Sequence, residues 1–220
     1  MGYKTITHSD SDESFGQFGG GAWLEDTTLW PRDPDTGALM LPVLMLTDRV
    51  LSIPFLAKGM VATVFVSVER SADGFKLSSI RKSTVNQESD LDNLRKGYSK
   101  VIMHKRSKQE LFPEPVGNYL KSAYVALNEF TDKDDAEELE DDTNGAGMSK
   151  LLGRPHWLQD MIPEPPSYYF LAQISEYTIR KVSPQHEGIF GDGMGYLFID
   201  HRAKKLDEGA EAGYFFIQFT

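Results

Sequence analysis

The 220-residue chain contains no cysteine, which excludes disulfides, thiolate metal ligands and a cysteine nucleophile, and suits a reducing compartment. It is short of positive charge, with 23 Lys and Arg against 33 Asp and Glu and a formal net charge of −10. A mean field of that sign repels phosphate backbones, so nucleic acid is not an expected partner. Long apolar runs are missing too. No stretch approaches the ~18 uninterrupted apolar residues of a membrane span, and the opening MGYKTITHSDSDESFGQF has no apolar leader core. The expectation is a soluble, cytoplasmic protein without a membrane partner. Gly2 invites N-myristoylation, but Ile6 stands where that motif requires Ser or Thr.

Chemical signatures are equally sparse. There is no G-x-S-x-G, no G-x-x-x-x-G-K-[ST] and no G-x-G-x-x-G after a strand. His8, His104, His156, His186 and His201 show neither H-x-x-x-H nor H-E-x-x-H spacing, so no metal or cofactor is expected, and the histidines read as surface or loop residues. Gly191-Asp192-Gly193-Met194-Gly195 is glycine-rich, but no helical segment follows and Asp192 opposes an anion; it reads as a tight turn between strands.

What is present is a globular composition, 40% hydrophobic and 11% aromatic, in short β-rich runs. Residues 1–18 read as a flexible N-terminal arm ending in glycine punctuation. Segment 39–55 is apolar, yet Pro42 and Pro54 divide it into an edge or first strand, a turn and a short second segment. Segment 59–70 alternates apolar and polar residues as a strand, Ser71-Ala72-Asp73-Gly74 reads as a hairpin turn, and Phe75, Leu77 and Ile80 mark a returning strand. Ser89, Leu91, Leu94 and Gly97 outline a short helix with its cap and stop. Residues 98–106 and 118–130 read as extended, although the second would tolerate a helix. Three further strands are expected at 168–174, 194–200 and 213–220. Between the halves, 132–148 has eight carboxylates and one lysine in its first eleven residues, then Asn-Gly-Ala-Gly. It reads as a solvated loop.

Laying the halves side by side reveals an echo. Trp30 and Asp33 precede Leu41, and Gly59-Met60 opens the run holding Val64-Phe65-Val66. Trp157 and Asp160 precede Leu171, and Gly193-Met194 opens the run holding Leu197-Phe198-Ile199. The Trp-to-Leu spacings are 11 and 14, and the Leu-to-Gly spacings 18 and 22. Such order with small insertions predicts an internal duplication, with repeats at about 19–131 and 149–220 joined by the acidic loop.

These residues also carry a family resemblance. Trp30-Pro31, Trp157-Leu158-Gln159, Phe170-Leu171-Ala172-Gln173-Ile174, Gly191-Asp192, Gly195 and Gln218 make the chain resemble the YwqG-like domain, a family of unknown function, from about Gly19 to Thr220. Two positions depart from its pattern: Val43 stands where the first strand of the family carries a Gln, and Leu152 where it places a second Gly. The resemblance implies an α+β fold, predominantly β, internally duplicated, with few short helices. It also implies kinship with a group that includes bacterial immunity proteins and ribosomal-protein chaperones.

The candidate binding residues follow from chemistry. Gln159, Gln173 and Gln218 are amides in apolar surroundings, where an unpaired amide costs about 1–3 kcal/mol. They are expected to bond backbone and fix strand register, or else to line a cleft between the repeats. Trp30 and Trp157 are expected as core anchors. Asp134, Asp135, Glu137 and Glu138 would present negative charge to a basic partner. No catalytic residue is expected. The leading expectation is a non-catalytic protein-binding module, an immunity protein that neutralises a cognate bacterial toxin or effector. The alternatives are a chaperone for a basic client such as a ribosomal protein, and a hydrolase using Asp160 and Asp192 in a cleft.

Overall fold

The computed structural model describes residues 3–52, 54–68, 70–71, 74–75, 82–117, 119–140, 142–163, 166–182 and 188–219. The expected hairpin turn at Ala72-Asp73, the returning strand around Leu77 and Ile80, and His186 lie outside them. Among the described residues there are twelve strands, and ten of them close into a barrel. In chain order the strands are β1 (Lys4–Ser9), β2 (Gly16–Phe18), β3 (Leu41–Thr47), β4 (Met60–Val66), β5 (Arg70–Ser71), β6 (Gly74–Phe75), β7 (Ser99–Lys105), β8 (Ala123–Glu129), β9 (Lys150–Leu151), β10 (Tyr168–Ser175), β11 (Met194–Asp200) and β12 (Glu211–Gln218). The order around the barrel is β1-β8-β2-β3-β4-β7-β12-β11-β10-β9, and β9 returns to β1. Every pairing within it is antiparallel. The helices are short: α1 (Leu91–Lys96), α2 (Asp132–Leu139) and α3 (Glu176–Arg180).

The strand periodicity places one stripe inside and the other outside. Leu197, Ile199, Phe215 and Ile217 join the main core, whereas Met194, Tyr196, Phe198 and Phe216 form a second apolar cluster with Val85, Ile162 and Phe170. Both stripes of β3 and β11 are fully covered, because connecting segments lie against the outer face. Burying such strands on two sides removes about 1.5–3 kcal/mol worth of each large apolar side chain from water.

Several expectations change. Residues 4–9 and 16–18 are barrel strands rather than an arm. Pro42 lies in a strand flanked on both sides, and the pairing of β3 with β4 breaks between Pro42 and Leu44; a bulge accommodates a residue without an N–H. Closure leaves the barrel no edge for β3 to occupy. The acidic segment is a helix over its first half, with Thr131 as N-cap and Thr131 and Asp134 bonded reciprocally. In α1 the N-cap is Asp90, not Ser89, while Gly97 ends the helix at φ 84°, a left-handed position that glycine adopts without steric cost.

The two sides of the barrel pair alike. The register of β10 with β11 breaks between Phe170 and Ala172, as that of β3 with β4 does at Pro42 and Leu44. The skipped residues, Val43 and Leu171, each accept a backbone hydrogen bond, from Gly19 (3.1 Å) and Leu152 (2.8 Å). Counting from these breaks, Met45 corresponds to Gln173, Thr63 to Tyr196 and His104 to Gln218. Gln17, paired with Met45, corresponds to Lys150, paired with Gln173. The counterpart of Gln173 is therefore Met45, not Val43. Each side begins with a strand drawn from the other end of the chain: β8 lies beside β2, and β1 beside β9. The acidic segment runs from β8, which lies beside β2, to β9, which lies beside β10, and so crosses from one side of the barrel to the other.

Candidate functional site

Glu138, from α2, and Lys150, on β9, are both fully buried and form an ion pair. The Lys150 ammonium also donates to the carbonyls of Asn144 and Arg154, each at 2.6 Å. The other oxygen of Glu138 accepts from the Arg154 amide at 2.7 Å. Burial pushes the Lys150 ammonium below its ordinary value, opposed by Glu138. Leu152 and Gly153 both have positive φ, 61° and 84°, turning the chain so that the Arg154 amide points back at the carboxylate. A Cβ at Gly153 would lie 2.2 Å from Glu138, so only glycine permits this approach.

Gln173 completes the arrangement. It is fully buried; its Oε1 accepts from the His156 amide at 2.8 Å, and its Nε2 donates to Gly145 (3.1 Å) and Met148 (2.9 Å) carbonyls. Gln218 does the same for the next loop, accepting from Leu158 (3.1 Å) and Gln159 (3.2 Å) and donating to Asp160 (2.9 Å). The amides bond loop backbone rather than strand edges, fastening residues 145–160 over the outer face. Gln159 bonds the Phe219 carbonyl at 2.9 Å.

Trp157 lies half-buried on the outside, stacked on Tyr196 at 5.0 Å and near Phe198 and Phe216 at 6.4 and 6.3 Å. Burial pushes the Tyr196 hydroxyl far up, so it stays protonated and donates to the His156 carbonyl. Trp30 is a core residue, bonded to the Met40 carbonyl at 2.9 Å and edge-on to Phe65. Asp160 is exposed, bound through its backbone alone among the described contacts.

The turn from Gly188 to Asp192 holds a carboxylate, but the chain supplies it. Glu176, buried at the start of α3, accepts from the amides of Gly188 (2.5 Å), Phe190 (2.8 Å) and Asp192 (2.8 Å). Sequence reasoning missed this carboxylate; its signal was the polar Glu directly after the strand. Asp192 is exposed with φ 59°. It and Asp160 line neither of the two cavities described for the molecule.

On α2, Asp134 serves the cap, Glu137 pairs with Lys133 at 3.4 Å, and Asp135 is exposed. Thus Glu138 and Gln173 converge on residues 145–154, Trp157, Gln159 and Asp160 gather around Gln218, and the remaining carboxylates face outward. His104, expected at the surface, is fully buried in β7, with Nε2 2.8 Å from the Thr63 hydroxyl and Nδ1 2.8 Å from the Lys105 carbonyl. Among the described residues no cluster of His, Asp and Glu could hold a metal ion, and no helix is long and apolar enough to cross a membrane.

No protein-family model matches the chain, and no curated protein matches it.

Proposed function

We propose that the protein is a non-catalytic binding module that presents a fixed acidic helix to a basic protein partner. One observation carries this reading: the buried Glu138–Lys150 pair clamps α2 to the barrel, while Asp132 and Asp135 on the helix, and Glu140 and Asp142 just beyond it, are exposed. A preorganised negative patch accelerates encounter with a basic surface and orients it, even where single exposed pairs contribute little affinity. The buried amides support a non-catalytic role, because each is consumed in holding loops.

The partner class comes from the resemblance to YwqG-like domains: a bacterial toxin or secreted effector, which the protein would neutralise by covering it. We also infer an internal duplication, supported by the matching register breaks and strand order. The repeats would run 4–105 and 123–218, each lending its first strand to the other side. Co-expression with the product of the neighbouring gene tests the function. Toxicity relieved only when this protein is present is the expected result; growth that does not depend on it overturns the reading. A basic ribosomal protein kept soluble instead would move the assignment to a chaperone.

A further inference from the structure

The corresponding place on the other side of the barrel is open. A cavity of about 240 Å³ is lined by Ser9, Asp10, Gln17, Glu110, Ser122, Ala123 and Tyr124. Glu110 plays the part of Glu138: its Oε1 accepts from the Gly21 amide at 2.7 Å, as Glu138 accepts from Arg154. Gly19 and Gly20, at φ 54° and 74°, repeat the turn of Leu152 and Gly153. Gln17 stands where Lys150 does, bonding Glu110 at 2.6 Å and the Gly19 carbonyl at 3.0 Å.

A second lysine is replaced as well. On the closed side Lys4, paired with Leu151 of β9, forms an ion pair with Glu129. Its counterpart, paired with Phe18 of β2, is Ala123. Ala123 and Asp10 flank the last pair of β1 with β8, Ser9 with Tyr124, so Asp10 corresponds to Glu129. The cavity thus keeps two carboxylates where the closed side has two carboxylates and two ammonium groups. Among the described residues no Lys, Arg or His lines it, and Asp10 has no ion-pair partner. Gln17 supplies amide hydrogens but no charge.

We propose that this cavity is a binding site for a primary alkylammonium group, held by Asp10 and Glu110 in place of the two missing lysines. The ammonium has three donors, matching the Glu110 carboxylate, Asp10 and the hydroxyls of Ser9 and Ser122. The proposal does not rest on the function assigned to α2, which contributes nothing to the lining.

Titration of the full chain with 1,4-diaminobutane, followed by amide chemical shifts, is expected to move Gly20, Gly21, Ser122 and Tyr124, with affinity falling as salt is added. Butan-1-ol, which has the alkyl chain without the charge, is expected to leave them in place. Ala123→Lys sets beside Asp10 the ammonium that Lys4 sets beside Glu129; it should weaken diamine binding at least tenfold while leaving the thermal midpoint unchanged or higher. Asp10→Asn, at an exposed position, should also weaken binding and covers the case in which Ala123→Lys does not fold. A terminally blocked lysine tetrapeptide separates the sources: response to the diamine alone assigns a free amine, and response to the peptide assigns the side chain of a protein. No response to either probe, an equal response to butan-1-ol, or unchanged affinity in both variants would overturn the proposal.

Discussion

The two sides of the barrel share a register but differ in how they settle their buried polar groups. Around β9 and β10, Lys150, Glu138, Gln173 and Gln218 are fully partnered and hold the acidic helix and the loop to residue 160. Around β2 and β3 the counterparts are Gln17, Glu110, Met45 and His104, and a cavity remains. The same backbone scaffold therefore supports a closed face and an open one. The difference lies in a few side chains and in the length of one connection: residues 130–149, eight of them in α2, on the closed side, against residues 10–15 on the open side.

The connection on the closed side thus has twelve residues outside its helix, and the one on the open side has six in all. Both are acidic, but only the longer one reaches back to cover the barrel.

The largest break in this comparison is expected at the buried pair. Lys150→Met leaves the Glu138 carboxylate and two carbonyls without their cation, and should cost about 3–5 kcal/mol in denaturant unfolding. Adding Glu138→Gln should recover part of that loss, because no uncompensated charge then remains buried. A Lys150→Met loss below about 1 kcal/mol would show that α2 is not clamped in this way.

Gln173→Met gives the closed side the residue that the open side carries at Met45. It strips partners from the His156 amide and from the Gly145 and Met148 carbonyls, and should cost about 1–3 kcal/mol. Faster amide exchange is expected across 145–156, with β11 and β12 unchanged. Exchange rising evenly over the barrel would instead mean that Gln173 supports the core as a whole.

His104 and Gln218 hold corresponding places, but only His104 titrates. Burial lowers its pKa from the ordinary 6.5, so the unfolded chain takes up the proton first as pH falls. The stability that His104 contributes is present above about pH 6.5 and is lost as pH drops toward its folded value. His104→Gln should therefore flatten the decline in stability between about pH 7 and 5. An unaltered slope would show that the buried ring is not its source.

Much of the strand pattern is legible in the sequence, because alternation at 60–66, 168–175, 194–200 and 211–218 is a local signal. The short strands β1, β2 and β9 are not, since their burial depends on partners more than a hundred residues away, as in the pairing of Lys4 with Glu129. For the same reason the echo between the halves is visible in order but shifted from the register of the barrel: the sequence sets Leu41 against Leu171, whereas the bulges set Val43 against Leu171. Glu138 was expected among solvated carboxylates because composition cannot distinguish it from Asp135. Its burial depends on Lys150 and on the turn at Leu152 and Gly153. Gln173 and Gln218 stood out as amides in apolar runs, but their partners lie in loops and become visible only once the chain is folded.

The smallest effect on stability, and the one that bears on function, concerns the outward carboxylates of α2. Asp132→Asn with Asp135→Asn removes two charges from an exposed surface and leaves the Thr131–Asp134 cap and the Glu138–Lys150 clamp intact. Thermal stability should change by less than about 1 kcal/mol, since the charges favour the helix N-terminus only at its exposed surface. Association with a basic partner should slow, and its dependence on salt should flatten, because steering acts through the rate of encounter. The same two substitutions should leave diamine binding at the opposite-charge-deficient cavity unchanged, since neither residue lines it. An on-rate equal to that of the unaltered protein would separate the acidic helix from partner capture, and would leave the clamp as a purely structural device of the closed side.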